Sequence, residues 1–264
     1  MILSYDRNRS FRRTLRRSLP LVLYIADLAL LTGGLFLIVS ARFSAVETAP
    51  VSDAQAIAPS DSDAEASRFE GLTIIQQYST QNDCYITNQH IQVEGIMLHS
   101  IGVSQSSAEI LAENFNTFNP SGSAACPHAF LQSDGIVYQI LPWNLYGWHA
   151  GGSANRPHIG LEMCEPDSLV YTSASEFYTT DAAAATAYVE GTYRTAVTLC
   201  AKLCTDYSLD PLEDGVILSH AEGSALGIAS DHGDPEHLWS GLGLPYTMDT
   251  FRADVDALMR ETQS

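Results

Sequence analysis

Basic residues are scarce over most of this sequence. Beyond residue 45 the chain has six lysines and arginines against 29 aspartates and glutamates, and the whole chain carries a formal net charge of −18. Proteins that bind nucleic acid neutralise phosphates with clusters of Lys and Arg. The composition therefore argues against a nucleic-acid partner for residues 46–264.

Short metal motifs and internal repeats are also missing. The sequence has no C-x-x-C pair and no H-E-x-x-H motif, so it predicts neither a cysteine zinc cluster nor that type of zinc helix. Its five cysteines are an odd number, so pairing in an exported chain would leave at least one thiol free. Cys200 and Cys204 share one face of a predicted helix, which favours core packing for that pair.

The N-terminus combines arginines with one long apolar run. Residues 1–18 hold six arginines and are predicted to be a basic cytoplasmic segment. Residues 19–41 contain a single charge, Asp27, and are long enough for a transmembrane signal anchor, which needs roughly 20 residues. The arginines predict that the rest of the chain lies outside the cytoplasm, held at the cell membrane.

A cleaved signal peptide is the alternative to an anchor. The small residues Val39-Ser40-Ala41 would suit a cleavage site, and the domain would then be secreted. The apolar run is longer than a usual signal core, which favours the anchor. Residues 42–68 are rich in Ala, Ser, Pro and Asp without apolar periodicity, and are predicted to be a disordered linker. Residues 69–264 are predicted to form the folded domain.

Two apolar runs end in histidine within that domain. Gly95–Leu98 leads into His99, and Val216–Leu218 leads into His220. We expect two neighbouring strands of one sheet, each delivering a histidine at its end. Other predicted elements are helices over 106–114, 181–207 (capped by Thr180) and 247–262 (capped by Thr247), a 129–131/136–141 hairpin and a strand over 158–164. The mixture predicts an α/β domain with helices packed on a central sheet.

The histidines suggest a metal site. His99, His220 and Asp234, which precedes a proline, are ligand types that zinc accepts, and a catalytic zinc uses three protein ligands with one open position. Glu162 is the candidate general base, because alternation places it on the strand face opposite Ile159 and Leu161.

Four motifs in this order resemble those of a known family. They are Leu98-His99-Ser100, Gly147-Trp148-His149-Ala150-Gly151, Ile159-Gly160-Leu161-Glu162, and Ser219-His220 followed by Asp234-Pro235. The sequence from about Gly71 to Met259 resembles the zinc-dependent N-acetylmuramoyl-L-alanine amidases of the type 2 family, relatives of peptidoglycan recognition proteins. The resemblance implies a central mixed β-sheet flanked by helices, with zinc in a surface groove. It also implies cleavage of the amide between N-acetylmuramic acid and L-alanine in peptidoglycan.

The resemblance also implies roles for individual residues. His99, His220 and Asp234 match the zinc ligands, and Glu162 matches the general base. His232 occupies the position where the family usually has a lysine or arginine that stabilises the oxyanion. Because histidine is less basic than lysine, we expect it to act there as a neutral N–H donor at about neutral pH. The substrate-binding residues implied are Trp148 and His149 in the groove loop, together with His128 on a strand facing the groove.

Two other functions remain open. One is a peptidoglycan-binding module without catalysis, although the full set of three ligands and Glu162 argues against it. The other is an exported zinc peptidase that cuts within the stem peptide.

Overall fold

The computed structural model describes residues 69–117 and 125–261. The cytoplasmic segment predicted at 1–18, the anchor at 19–41 and the linker at 42–68 lie outside the described residues. Within the described ranges, no helix has the length and apolarity needed to cross a membrane.

A six-stranded mixed sheet forms the centre of the domain. The strands in chain order are β1 (Thr73–Gln76), β2 (Gly95–Ser100), β3 (Ala129–Leu131), β4 (Ile136–Gln139), β5 (His158–Met163), β6 (Leu169–Tyr171), β7 (Phe177–Thr179) and β8 (Ile217–Ser219). The order across the sheet is β1-β4-β3-β5-β2-β8, with β6 and β7 forming a separate antiparallel pair. Only the β3–β4 pairing within the main sheet is antiparallel. That pairing confirms the predicted hairpin.

Helices cover the sheet. They are α1 (Asp83–Thr87), α2 (Ala108–Phe115), α3 (Ala182–Tyr207), α4 (His220–Ala225), α5 (Glu236–Gly241) and α6 (Met248–Glu261), with a 3₁₀ turn at Ser153–Asn155. Residues of α3 and α6 share the main hydrophobic core with the strands, including Leu203, Phe251 and Leu161. The predicted architecture, a central mixed sheet flanked by helices, is confirmed.

The central strands are buried on both faces, which explains their nearly continuous apolar sequences. All six residues of β2 are buried, and five of the six in β5 are. Of the two helix caps predicted from the sequence, one is shifted by a residue and the other is confirmed. The side chain of Asp181, one residue beyond the predicted Thr180, accepts a hydrogen bond from the N–H of Ala184 at 3.0 Å and caps α3. The Thr247 hydroxyl accepts from the N–H of Thr250 at 3.1 Å, as predicted for α6.

Candidate metal centre

Two neighbouring parallel strands bring the two histidines together. β2 pairs with β8, and Leu98 lies opposite Ser219, so His99 and His220 follow on the same side of the sheet end. His220 is the first residue of α4, directly after β8. Asp234 reaches the same place from a loop, where its carboxylate accepts the N–H of Ser100 at 3.2 Å. Its backbone carbonyl accepts the N–H of Ala221 at 3.2 Å.

The three side chains form a cluster that fits a metal ion. Nδ1 of His99 lies 2.9 Å from Nδ1 of His220, and the two rings lie 3.5 Å and 3.6 Å from the Asp234 carboxylate oxygens. Ligand atoms bound tetrahedrally to zinc at ~2.0–2.1 Å are roughly 3.3 Å apart, and the observed separations bracket that value. All three residues are buried, and two imidazoles with one carboxylate are a donor set that zinc accepts.

A hydrogen-bond chain orients the His99 ring. Nε2 of His149 lies 3.1 Å from the carbonyl of His158, so this nitrogen must carry the hydrogen. Burial, reinforced by nearby His99 and His128, holds the pKa of His149 well below its usual value, so the ring is neutral and its Nδ1 is an acceptor. Nε2 of His99, 3.0 Å away, must therefore donate to it. This assigns a free lone pair to Nδ1 of His99, the atom that faces the other two ligands.

Ser230 orients the second histidine in the same way. Its hydroxyl donates to the carbonyl of Ala150 at 3.3 Å and lies 3.1 Å from Nε2 of His220. Because the hydroxyl hydrogen is used, Ser230 accepts from Nε2 of His220 and leaves Nδ1 of that ring unprotonated. Burial lowers the pKa of His220 to about 4, which favours the neutral ring that a metal requires. Sequence reasoning missed Ser230, since a serine in a loop carries no signal of this role.

Glu162 lies beside the cluster on β5. It is paired in register with His99 on β2, and paired residues on neighbouring strands point to the same face. Burial raises the pKa of Glu162 to about 7; a protonated His99 would oppose this shift, and the charge of Asp234 adds to it. A carboxyl with a pKa near neutrality is suited to exchange a proton with water.

His232 lies beside the cluster, and Trp148 directly precedes His149 in the chain. The His232 ring stacks on that of His220, with ring centroids 4.5 Å apart and planes inclined by 27°. Its side chain is 58% exposed, and its Nδ1 lies 3.8 Å from the Asp234 carboxylate. Trp148 is 40% exposed, which is unusual for so large an apolar side chain. Both residues are accessible to a ligand that approaches the cluster.

His128 and His149 occupy positions different from those expected of groove-lining residues. His128 is fully buried, with Nδ1 accepting from the N–H of Gly160 at 2.9 Å and Nε2 donating to the carbonyl of Leu145 at 2.8 Å. With both nitrogens used by the backbone, His128 supports the site from within the fold. The ring of His149 is directed inward against His99 instead of outward.

Gly160 makes room for His149. A Cβ atom at Gly160 would lie 2.2 Å from Cγ of the His149 ring, which is far inside contact distance. Only glycine therefore fits at this position of the Ile-Gly-Leu-Glu motif, because the His149 imidazole occupies the space that a Cβ atom would need.

A clamp from the C-terminal helix holds the start of α4. Ser219 and Glu222 form a capping box, in which the Ser219 hydroxyl accepts from the N–H of Glu222 and the Glu222 carboxylate accepts from the N–H of Ser219. Arg252 of α6 donates to both oxygens of Glu222, at 3.0 Å and 3.1 Å, and to the carbonyl of Ile217 at 3.0 Å. The same arginine thus ties β8 and α4 on either side of His220.

A second buried network lies next to Asp234. Glu165, 0% exposed, accepts from the N–H of Gly102 at 2.9 Å and from the hydroxyl of Tyr171 at 2.5 Å. The Tyr171 oxygen lies 3.2 Å from Nε2 of His237. Burial raises the pKa of Glu165 to about 7. No local sequence pattern indicates this network.

The sequence is similar to those of known amidases. The profile of the N-acetylmuramoyl-L-alanine amidase family matches residues 89–237. Two curated amidases of Bacillus subtilis (strain 168) match short stretches. XlyA is 54% identical over 39 residues, which are 14% of this chain and 13% of XlyA. CwlH is 48% identical over 40 residues, which are 14% of this chain and 16% of CwlH. The chain therefore spans roughly a seventh of the length of these curated relatives.

A solved structure shares the fold. The Staphylococcus aureus hydrolase AmiA, solved in complex with its ligand, has a TM-score of 0.55 and 17% identity, covering 78% of this chain and 93% of AmiA. The family profile covers more than half of the 264 residues and includes all three clustered ligands. By that match, the chain belongs to the N-acetylmuramoyl-L-alanine amidase family.

Proposed function

We propose that this protein hydrolyses the amide bond between N-acetylmuramic acid and L-alanine in peptidoglycan, with zinc held by His99, His220 and Asp234. The observation that carries the proposal is the convergence of these three ligands beside Glu162. When bound there, zinc supplies Lewis acidity, which activates water and polarises a carbonyl.

The protein's own residues supply the remaining steps. Glu162 removes the proton from the attacking water and returns it to the leaving amine of L-alanine, a cycle suited to a carboxyl with a pKa of about 7. His232 donates an N–H to the carbonyl oxygen as negative charge develops on it. His149 and Ser230 hold the two ligand imidazoles with their Nδ1 lone pairs facing the centre.

Substrate binding is assigned to the exposed face of Trp148. Its half-exposed ring offers a flat apolar surface one residue before His149, suited to the apolar face of a sugar or to a lactyl group. Substitution by alanine should therefore raise KM more than it lowers kcat.

Product analysis on purified muropeptides tests the function. The amidase releases peptides whose L-alanine amine is free. A peptidase would cut within the stem, and a binding module would leave the muropeptide intact, so either result would overturn the proposal.

A strong chelator should abolish hydrolysis and zinc should restore it. Full activity in protein shown to be metal-free by elemental analysis would exclude the metal mechanism.

The same proposal includes location. The six arginines before residue 19 and the apolar run that follows support an uncleaved anchor at residues 19–41, with the amidase domain outside the cytoplasm. The acidic linker over 42–68 would then hold the domain away from the membrane, in reach of the wall.

A further inference from the structure

Two cysteines that are distant in sequence meet in one buried cluster. Cys84 lies in the first turn of α1, and Cys126 lies in the segment that leads into β3. Both pack in the same hydrophobic cluster, and each thiol shifts the pKa of the other. Both are free thiols in this structure.

Asn82 independently holds the two segments together. Its Oδ1 accepts from the N–H of Cys84 at 3.0 Å, and its Nδ2 donates to the carbonyl of Ala125, the residue before Cys126, at 3.2 Å. Asn82 is only 1% exposed, so these bonds are shielded from water. One carboxamide therefore fixes the separation of the two backbones next to the cysteines.

We propose that Cys84 and Cys126 form a disulfide bond that joins α1 to the backbone segment paired with Trp148. Cys126 exchanges two backbone hydrogen bonds with Trp148, at 2.9 Å and 3.0 Å. The bond closes the loop from residue 84 to 126, which contains β2 and the ligand His99. It therefore ties down both a ligand strand and the exposed tryptophan, whatever reaction the site performs.

The other three cysteines do not compete for this pairing. Cys200 and Cys204 are four residues apart on α3, where Cβ atoms are about 5–6 Å apart, whereas a disulfide needs roughly 3.5–4.5 Å. Cys164 packs in the same cluster as Cys84 and Cys126, but the groups that shift the pKa of its thiol are carboxylates and the Leu131 backbone, whereas Cys84 and Cys126 shift each other. The odd cysteine count is thereby resolved as one pair and three buried thiols.

The oxidation requires a disulfide as electron acceptor, either a small-molecule disulfide or that of a thiol oxidoreductase. The Cys84 thiolate attacks one sulfur of this acceptor and releases the first thiolate. Cys126 then loses its proton, and its sulfur attacks Cys84 and displaces the second thiolate. Two electrons and two protons pass to the acceptor, which leaves as two thiols. The neighbouring Cys126 thiol lowers the pKa of Cys84, which supports Cys84 as the first nucleophile.

Redox titration of the full chain in detergent tests the proposal. The protein is incubated in oxidised and reduced glutathione until the alkylation pattern is constant, then denatured and alkylated. We expect five alkylated cysteines in reduced protein and three after oxidation, with a crosslinked peptide pair containing Cys84 and Cys126. Five alkylated cysteines after oxidation, or a crosslink between any other pair, would overturn the proposal.

Thermal unfolding gives a second measurement. The oxidised protein should melt roughly 5–15 °C above protein reduced with a phosphine, which does not strip metals as dithiols do. Cys84→Ala and Cys126→Ala should each melt at the same temperature in both buffers, while the matched control Cys200→Ala should keep the difference. A redox-dependent shift that persists in Cys84→Ala would contradict the assignment, even if that variant is less stable throughout.

Discussion

Glu162 and His99 are paired in register on the neighbouring parallel strands β5 and β2. This pairing places the proposed base and the first ligand side by side on one face, although they are 63 positions apart in the sequence. The chemistry of the site therefore depends on strand register, since a slip of one residue would turn Glu162 into the core.

The first prediction concerns Glu162 itself. Glu162→Gln keeps the shape of the side chain but cannot accept a proton, so we expect the hydrolysis rate to fall by roughly 10²–10⁴. The zinc content should stay the same, as measured by elemental analysis. Exposed Glu213→Gln serves as the matched control and should leave the rate unchanged. Loss of zinc along with activity would identify Glu162 as a ligand instead.

The second prediction concerns His232, the position at which this chain differs from the usual pattern of the family it resembles. The exposed ring stacks on His220 and lies 3.8 Å from the Asp234 carboxylate, so we expect it to reach a carbonyl oxygen bound at the metal. A preorganised donor of this kind is worth about 3–4 kcal/mol, so His232→Ala should lower kcat roughly 10²–10³-fold with unchanged zinc content. His232→Lys should retain much of the activity. Wild-type kcat in the alanine variant at every pH would show that His232 plays no part.

The third prediction concerns the packing of Gly160 under His149. Gly160→Ala places a methyl group where the imidazole lies, so the ring must move away from His99. Loss of an orienting partner behind a metal-bound histidine typically weakens metal binding about 10–100-fold, which competition with a zinc chelator would measure.

A double variant shows whether this effect passes through His149. If it does, Gly160→Ala combined with His149→Ala should bind zinc no more weakly than His149→Ala alone. Fully additive losses would mean that the alanine at 160 disturbs the sheet directly.

The fourth prediction concerns pH and the buried Glu165. Its pKa rises from 4.5 in the unfolded chain to about 7 in the folded protein, so the folded state holds the proton more tightly. This stabilising contribution is complete below pH 4.5 and is lost as the pH rises to about 7. Relative to Glu165→Gln, the wild type should therefore lose about 3 kcal/mol of unfolding free energy over that interval. Urea unfolding of both proteins under identical conditions measures the difference, and a pH-independent difference would refute it.

The fifth prediction concerns the N-terminus. Cell fractionation should find the full-length chain in the membrane, with residues beyond 45 open to protease added from outside. A soluble extracellular form beginning near Arg42 as the sole product would indicate a cleaved signal peptide instead.

The sequence predicted those parts of the fold that have local patterns. Alternation in β5, the Asp134-Gly135 turn and the two histidines after apolar strands all correspond to observed elements. The meeting of His99 and His220 also followed, because parallel strand ends meet at one edge, whereas Asp234 joins them from a loop. The cap of α3 was placed one residue early, since Thr180 and Asp181 are both good capping residues.

What the sequence could not predict is the direction in which side chains point. The Trp148-His149 dipeptide indicates a groove loop, yet Trp148 is exposed while His149 faces His99. The family resemblance implied that His128 faces the groove, but its nitrogens are taken by two backbone groups that only the folded chain brings near. Such choices depend on contacts between distant segments, which no local pattern contains.

The Arg252 clamp has a consequence for truncated forms of the protein. The family profile ends at residue 237, before α6 begins, and it starts after β1. A piece cut to residues 89–237 would leave the Glu222 carboxylate without its bidentate arginine and the Ile217 carbonyl without its donor. Both groups lie next to His220, so a stop codon before Arg252 should loosen a ligand that lies far upstream. The smallest unit able to keep the metal geometry is therefore larger than the segment by which the family is identified.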